Sequence, residues 1–133
     1  MTLEIGLKGR AETTVDGSNT AVAADSGSLQ VFGTPFMVAL MEKAACDSLQ
    51  ETLEPGNTSV GTRLDIRHSA ATPVGMRVYT ESVVTAIDGR TVTFSVTAYD
   101  EAGEIGSGTH ERAIINAASF MERCTAKLAE KNG

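Results

Sequence analysis

The chain has 133 residues and a mass of 13.9 kDa, room for one domain and hardly for two. A hydrophobic share of 41% and a charged share of 21% suit a protein that builds a core, which argues against general disorder and fibrous repeats. Lys and Arg total 11 against 17 Asp and Glu, a net charge of -6, a poor balance for neutralising nucleic-acid phosphates or docking on anionic membranes.

The N-terminus, MTLEIGLKGRAETT, alternates Leu3, Ile5 and Leu7 with polar residues and glycine, so the chain is expected to open with a half-buried strand. It lacks a basic start followed by an apolar block, so no secretory signal is expected there and the cytoplasm is the expected location. The longest apolar stretch, around Phe36–Met41, is far short of the roughly 20 residues a membrane crossing needs. Cys46 and Cys124 stand far apart with no CxxC or Cys/His grouping, which suggests neither a disulfide framework nor a metal site.

Residues 16–28 are small, polar and turn-forming, and read as an irregular connection. After them Thr34 is placed as a helix N-cap with Pro35 at the first helical position, followed by Phe36 through Cys46. The first two turns are apolar on every side, so this helix is expected to be surrounded by protein, and its first charge, Glu42, to be a costly carboxylate to bury. Pro55-Gly56-Asn57 closes the segment.

From Val60 the period returns to two, with Val60, Thr62, Leu64, Ile66 and His68 on one face and Gly61, Arg63, Asp65 and Arg67 on the other. A long strand from Val74 to Ile87 leads through Asp88-Gly89, a hairpin signal, into Thr91–Asp100, and a second turn leads into Ile105–Ile115. A closing helix, about 117–131, carries Phe120, Cys124 and Leu128 at helical spacing. The architecture expected is α+β, one antiparallel sheet with one long apolar helix lying across it, as a single domain over 1–133. Such a sheet still leaves edge strands and part of one face uncovered, so a homodimer is expected, with tetramers a possible further step.

Few residues here can do chemistry. Thr34 stands at the positive end of the helix, where capping alone would explain it. Glu42 divides between a structural ion pair and a site carboxylate. His68 ends an apolar strand face. His110 and Arg112 share a face with Gly106 and Gly108, whose lack of side chains suggests close packing near the helix or dimer seam, and Arg112 is free to neutralise Glu42 or an anionic substrate. Eight residues separate Thr34 from Glu42, a helical rise of about 12 Å, so the two serve opposite ends of a site or meet from different subunits.

Four blocks then stand in order: Val31 to Glu42 (VFGTPFMVALME), Val60-Gly61-Thr62, His68 to Gly75 (HSAATPVG) and Gly108 to Arg112 (GTHER). Over about residues 30–116 the chain resembles the fluoroacetyl-CoA thioesterase-like branch of the hotdog-fold thioesterases. The resemblance implies a hotdog fold, a sheet wrapped round a central helix and dimerised. It implies hydrolysis of a small acyl-CoA thioester, with coenzyme A as part of the substrate and no further cofactor. Thr34, Glu42 and His68 correspond to the family's catalytic residues, and Gly61 and Arg112 to its substrate contacts. Glu42 would act as nucleophile through an anhydride or as base for water, His68 as proton carrier, and Thr34 would attack or orient. The segment Asp25–Gln30 lacks the aromatic gate expected of the fluoroacetate-specific enzyme, so the wider expectation is a short-chain or small aromatic acyl group, on CoA or on a carrier protein. Arg63, Arg67 or Arg77 could meet CoA phosphates. Two other readings share the fold: an acyl-CoA hydratase or dehydratase, and a non-catalytic acyl-CoA-binding module.

Overall fold

The computed structural model describes residues 1–132, in the order β1 (Lys8–Thr14), α1 (Thr34–Gln50), β2 (Asn57–His68), β3 (Arg77–Asp88), β4 (Thr91–Asp100), β5 (Gly103–Asn116) and α2 (Ala117–Asn132). The five strands form one antiparallel sheet in the order β1-β3-β4-β5-β2. Four strand steps of about 4.8 Å make it roughly twice as wide as a helix, yet α1 touches both edge strands, β1 and β2, as well as β3 and β4. Only a sheet curled around the helix permits that.

Helix α1 forms because Ala, Leu and Met dominate it, with Pro35 in its first turn where a missing N–H costs nothing. Met37, Met41, Ala44, Ala45 and Ser48 recur at helical spacing and are buried against the concave sheet face. That face is supplied by Val78, Thr80, Ser82 and Val84 of β3 and by Val92, Phe94, Val96 and Ala98 of β4, all nearly inaccessible to solvent. Two close approaches fix the helix. A Cβ on Gly9 would run into the Ala44 carbonyl oxygen, and the Thr80 hydroxyl donates to the Leu40 carbonyl at 2.9 Å.

Several boundaries differ from the sequence expectation. The opening strand begins at Lys8 and leaves out Leu3, Ile5 and Leu7, because Gly6 takes φ +95° and turns the chain, leaving Leu3 and Leu7 against the core and Ile5 68% exposed. Strand β3 starts at Arg77 rather than Val74, since Val74 and Gly75 form a turn with Gly75 at φ +100°. Asp88 pairs with Thr91, so the hairpin turn is Gly89-Arg90, one residue later than Asp88-Gly89. The single face expected for Val60 through His68 is interrupted. Gly61 pairs with Arg112 and Arg63 with Glu111, so Thr62 is an extra residue in a β-bulge. Ser59 and Gly61 therefore share the concave face with Leu64, Ile66 and His68, while Val60 does not. Helix α2 packs against β5, with Met121 and Leu128 exposed. No described helix is long and apolar enough to cross a membrane.

Candidate active site

The concave faces of β2 and β5, together with α1, gather the candidate residues into two groups. At the N-terminal end of α1, the cap is Gly33, not Thr34, and no side chain caps the helix. Thr34 is already helical, and its hydroxyl lies 2.7 Å from Nδ1 of His68, the last residue of β2. The other ring nitrogen of His68, Nε2, is buried with no hydrogen-bond partner among the described residues. Burial pushes the His68 pKa below its ordinary value, which keeps the ring neutral and able to accept a proton.

Thr34 and His68 line a cavity of about 680 Å³ with Ala21, Val31, Pro35 and Val38. The lining includes Ser26 and Ser69 but no Asp, Glu, Lys or Arg. The strap after β2 that forms one wall is fastened from behind. The buried Thr72 hydroxyl donates to Asp100 at 2.7 Å, and the Thr72 carbonyl accepts from the Phe32 amide at 2.9 Å. Asp100 also accepts from the amides of Ala102 and Gly103, so one carboxylate ties the β4–β5 turn to the cavity wall.

The second group lies two turns along α1. Glu42 is not buried as its apolar neighbours suggest; its side chain is 42% exposed, in a cleft of about 220 Å³ lined by Gly61, Thr62, Arg63, Leu64 and His110. A Cβ on Gly61 would sit 2.7 Å from Glu42 Oε2, so the bare backbone there is what leaves room for the carboxylate. Arg112 lies behind, with Nη1 3.6 Å from Oε2. It is buried, donating from Nε to the Ser59 hydroxyl at 2.8 Å and from Nη2 to the Ser59 carbonyl at 3.1 Å. Of the arginines considered for phosphate, Arg63 lines this cleft, whereas Arg77 pairs with Glu12 at 3.1 Å and belongs to another region.

Within one chain, then, Thr34 meets His68, and Glu42 meets Gly61 and Arg112, while the two groups stay separated by the helical rise between positions 34 and 42. Two partners of this site are not prominent in the sequence. Ser59 shares the face of Gly61, but the expected face of Val60, Thr62 and Leu64 puts it outside, because the bulge at Thr62 leaves no clear periodic signal. Its two neighbouring glycines put His110 near the helix or dimer seam, but spacing does not show its bond to Arg112. Cys46 and Cys124 are free, and no group of three or more His, Cys, Asp or Glu suited to a metal occurs among the described residues.

The family model for the fluoroacetyl-CoA-specific thioesterase matches residues 15–118. A fluoroacetyl-CoA thioesterase of Streptantibioticus cattleyicolor is 43% identical over 102 residues, 77% of this chain and 70% of that one. A solved structure of the fluoroacetyl-CoA thioesterase FlK superposes with TM-score 0.90 at 34% identity, covering 96% of this chain and 98% of that one. A thioesterase superfamily member from Thermus thermophilus reaches TM-score 0.87 at 30% identity, covering 96% and 94%. The curled sheet around α1 is a hotdog fold, and the chain belongs to the fluoroacetyl-CoA-specific thioesterase family.

Proposed function

We propose that this protein hydrolyses a small acyl-CoA thioester to the free acid and CoA. The observation that carries the reading is the Thr34–His68 contact of 2.7 Å on the wall of an apolar cavity, in a chain of this family. Single-residue mutants of FlK have been solved with acetyl-CoA and with fluoroacetate and CoA. The acyl group enters the cavity, whose mostly apolar lining suits a short-chain or small aromatic acyl group. Thr34, Glu42 and His68 are the catalytic residues. In one route Glu42 attacks the carbonyl and expels the thiolate, water then hydrolyses the resulting anhydride, and neutral His68 takes a proton from that water and returns it to the thiolate. In the other Glu42 takes the proton of the attacking water and His68 relays it to the departing thiolate, with Thr34 orienting the reacting group. Gly61 and Arg112 form the substrate side of the carboxylate: Gly61 lets the thioester approach, and Arg112 offsets the charge of Glu42.

The working unit is a homodimer of single-domain chains over residues 1–133, acting in the cytoplasm. Edge strand β2 spans 12 residues with one side unpaired, a liability that a two-fold mate removes. Joining two chains there also gives a route to unite the groups that one chain keeps apart, Thr34 and His68 from one protomer with Glu42 and Gly61 from its partner. The test is thiol release across a panel of acyl-CoAs, with Glu42→Gln as control. Thiol release lost in a folded Glu42→Gln protein supports hydrolysis. Consumption of an enoyl-CoA without thiol release would move the reading to a hydratase, and binding without turnover to a carrier module.

A further inference from the structure

His110 is 2% exposed, stacked on Phe94 at a centroid distance of 6.2 Å, and has two polar partners of opposite kind. Its Nδ1 is 2.8 Å from the Arg63 carbonyl oxygen, which can only accept, and its Nε2 is 3.1 Å from Arg112 Nη1, which can only donate. One protonation state satisfies both: the neutral ring carrying its hydrogen on Nδ1. The Arg112 guanidinium is thereby held on two sides, by Ser59 and by His110, with Nη1 left beside Glu42. A Cβ on Gly61 would stand 3.2 Å from His110 Cε1, so ring, glycine and carboxylate are packed as one layer.

We propose that His110 is a positioning residue: as the neutral Nδ1–H form it accepts from Arg112 and so fixes the guanidinium that sets Glu42 against Gly61. The function of Glu42 in this statement rests on the hydrolase reading above. The groups facing the ring are Arg112 on its own strand, Glu42 on α1, the Arg63 carbonyl on β2 and the Phe94 ring on β4. Burial pushes its pKa below the ordinary value and Arg112 adds to this, against the opposing pull of the Arg63 carbonyl and Glu42. Protonation would set two cations against each other and remove the acceptor that Arg112 uses, so Glu42 would lose its fixed neighbour as the solution is acidified.

Two measurements decide the matter. Long-range proton–nitrogen NMR of the free wild-type protein reads the tautomer directly, with hydrogen on Nδ1, a bare Nε2 and a neutral ring at pH 6, and the Arg112 side-chain N–H signals resolved. In His110→Phe those arginine signals collapse, and in His110→Gln, whose amide oxygen can still accept, they persist. In the kinetic arm, kcat for thiol release falls about 10- to 100-fold in His110→Phe with little change in KM, Gln restores most of it, and the acid limb of the Gln profile loses one titrating group. A wild-type ring protonated on Nε2, or cationic at pH 6, overturns the proposal, as does a folded His110→Phe protein with unchanged kcat and pH profile. If the wild type releases no thiol, the hydrolase reading fails alone and the NMR arm still decides whether His110 holds Arg112. If His110→Phe does not fold, the wild-type tautomer and the Gln profile decide.

Discussion

Thr34 occupies the start of a helix, where a threonine ordinarily turns its oxygen toward free amides, yet its hydroxyl goes to His68 at 2.7 Å. Gly33 serves as the cap, so the hydroxyl is free for that contact. Thr34→Ala should therefore lower kcat/KM by about 100-fold or more while the melting temperature barely moves, because Thr34 is exposed; Thr34→Ser should keep most of the activity. Thiol release and calorimetry on the same preparations separate these outcomes. Gly61→Ala tests the other group: a methyl 2.7 Å from Glu42 Oε2 must displace the carboxylate, so activity should drop in a protein that still folds. The residue types of this site were legible in the sequence, and the Arg112–Glu42 pair stood among the alternatives it offered, but the Thr34–His68 pair did not. Helical rise correctly kept Thr34 and Glu42 apart, whereas nothing in the spacing said that Glu42 would open onto a cleft.

The two histidines also set a pH dependence of stability. Both have native pKa values below the ordinary 6.5 because they are buried. The unfolded chain, with ordinary histidines, binds protons first as pH falls, so the stabilisation from neutral rings is complete above the unfolded value and is lost as pH drops below it toward the native values. Melting temperature should be flat from pH 8 to 7 and decline below about 6.5, with a shallower decline in His68→Gln. A melting temperature that rises on mild acidification would contradict the neutral assignment.

At the scale of elements, α1 and β1 bring backbone close to backbone at Gly9. Gly9→Val would push a side chain into the Ala44 carbonyl, and overpacking of this kind should cost about 1–3 kcal/mol, read as a lower urea midpoint. Asp100→Ala removes the acceptor of Thr72, Ala102 and Gly103 together, with an expected loss of about 1–3 kcal/mol and a raised KM as the cavity wall loosens. The long elements were readable because their periods run for many residues, as in α1 and β4. The N-terminal strand was misplaced because two-residue alternation in Leu3, Ile5 and Leu7 looks the same whether or not Gly6 turns the chain at φ +95°. Strand β3 lost its first residues for the same kind of reason at Gly75.

At the scale of the whole molecule, one chain leaves β2 unpaired on one side and divides the candidate catalytic groups. If two chains complete each site, light scattering should give twice the 13.9 kDa chain mass. Mixing inactive Thr34→Ala with inactive Glu42→Gln should then restore about a quarter of wild-type activity, since half of the randomly assorted dimers are mixed and each holds one undamaged site of two. No recovery on subunit exchange would place all three residues in one chain. The antiparallel sheet and its central helix could be foreseen from element order, whereas the faces through which two chains would meet could not, because interface geometry depends on shape rather than on period.

Thr62 is the supernumerary residue of its strand, bonded through its hydroxyl to the Glu111 backbone and carboxylate at 3.1 and 3.2 Å. Excising it would leave Ser59, Gly61, Leu64, Ile66 and His68 in unbroken alternation, so the inside and outside of the strand would not be exchanged. The deletion would instead shorten and straighten the segment by one step, sliding Gly61 relative to Glu42. A single codon thus acts as a shim between scaffold and chemistry, a lever for retuning the cleft without redesigning the barrel-like wall that carries it.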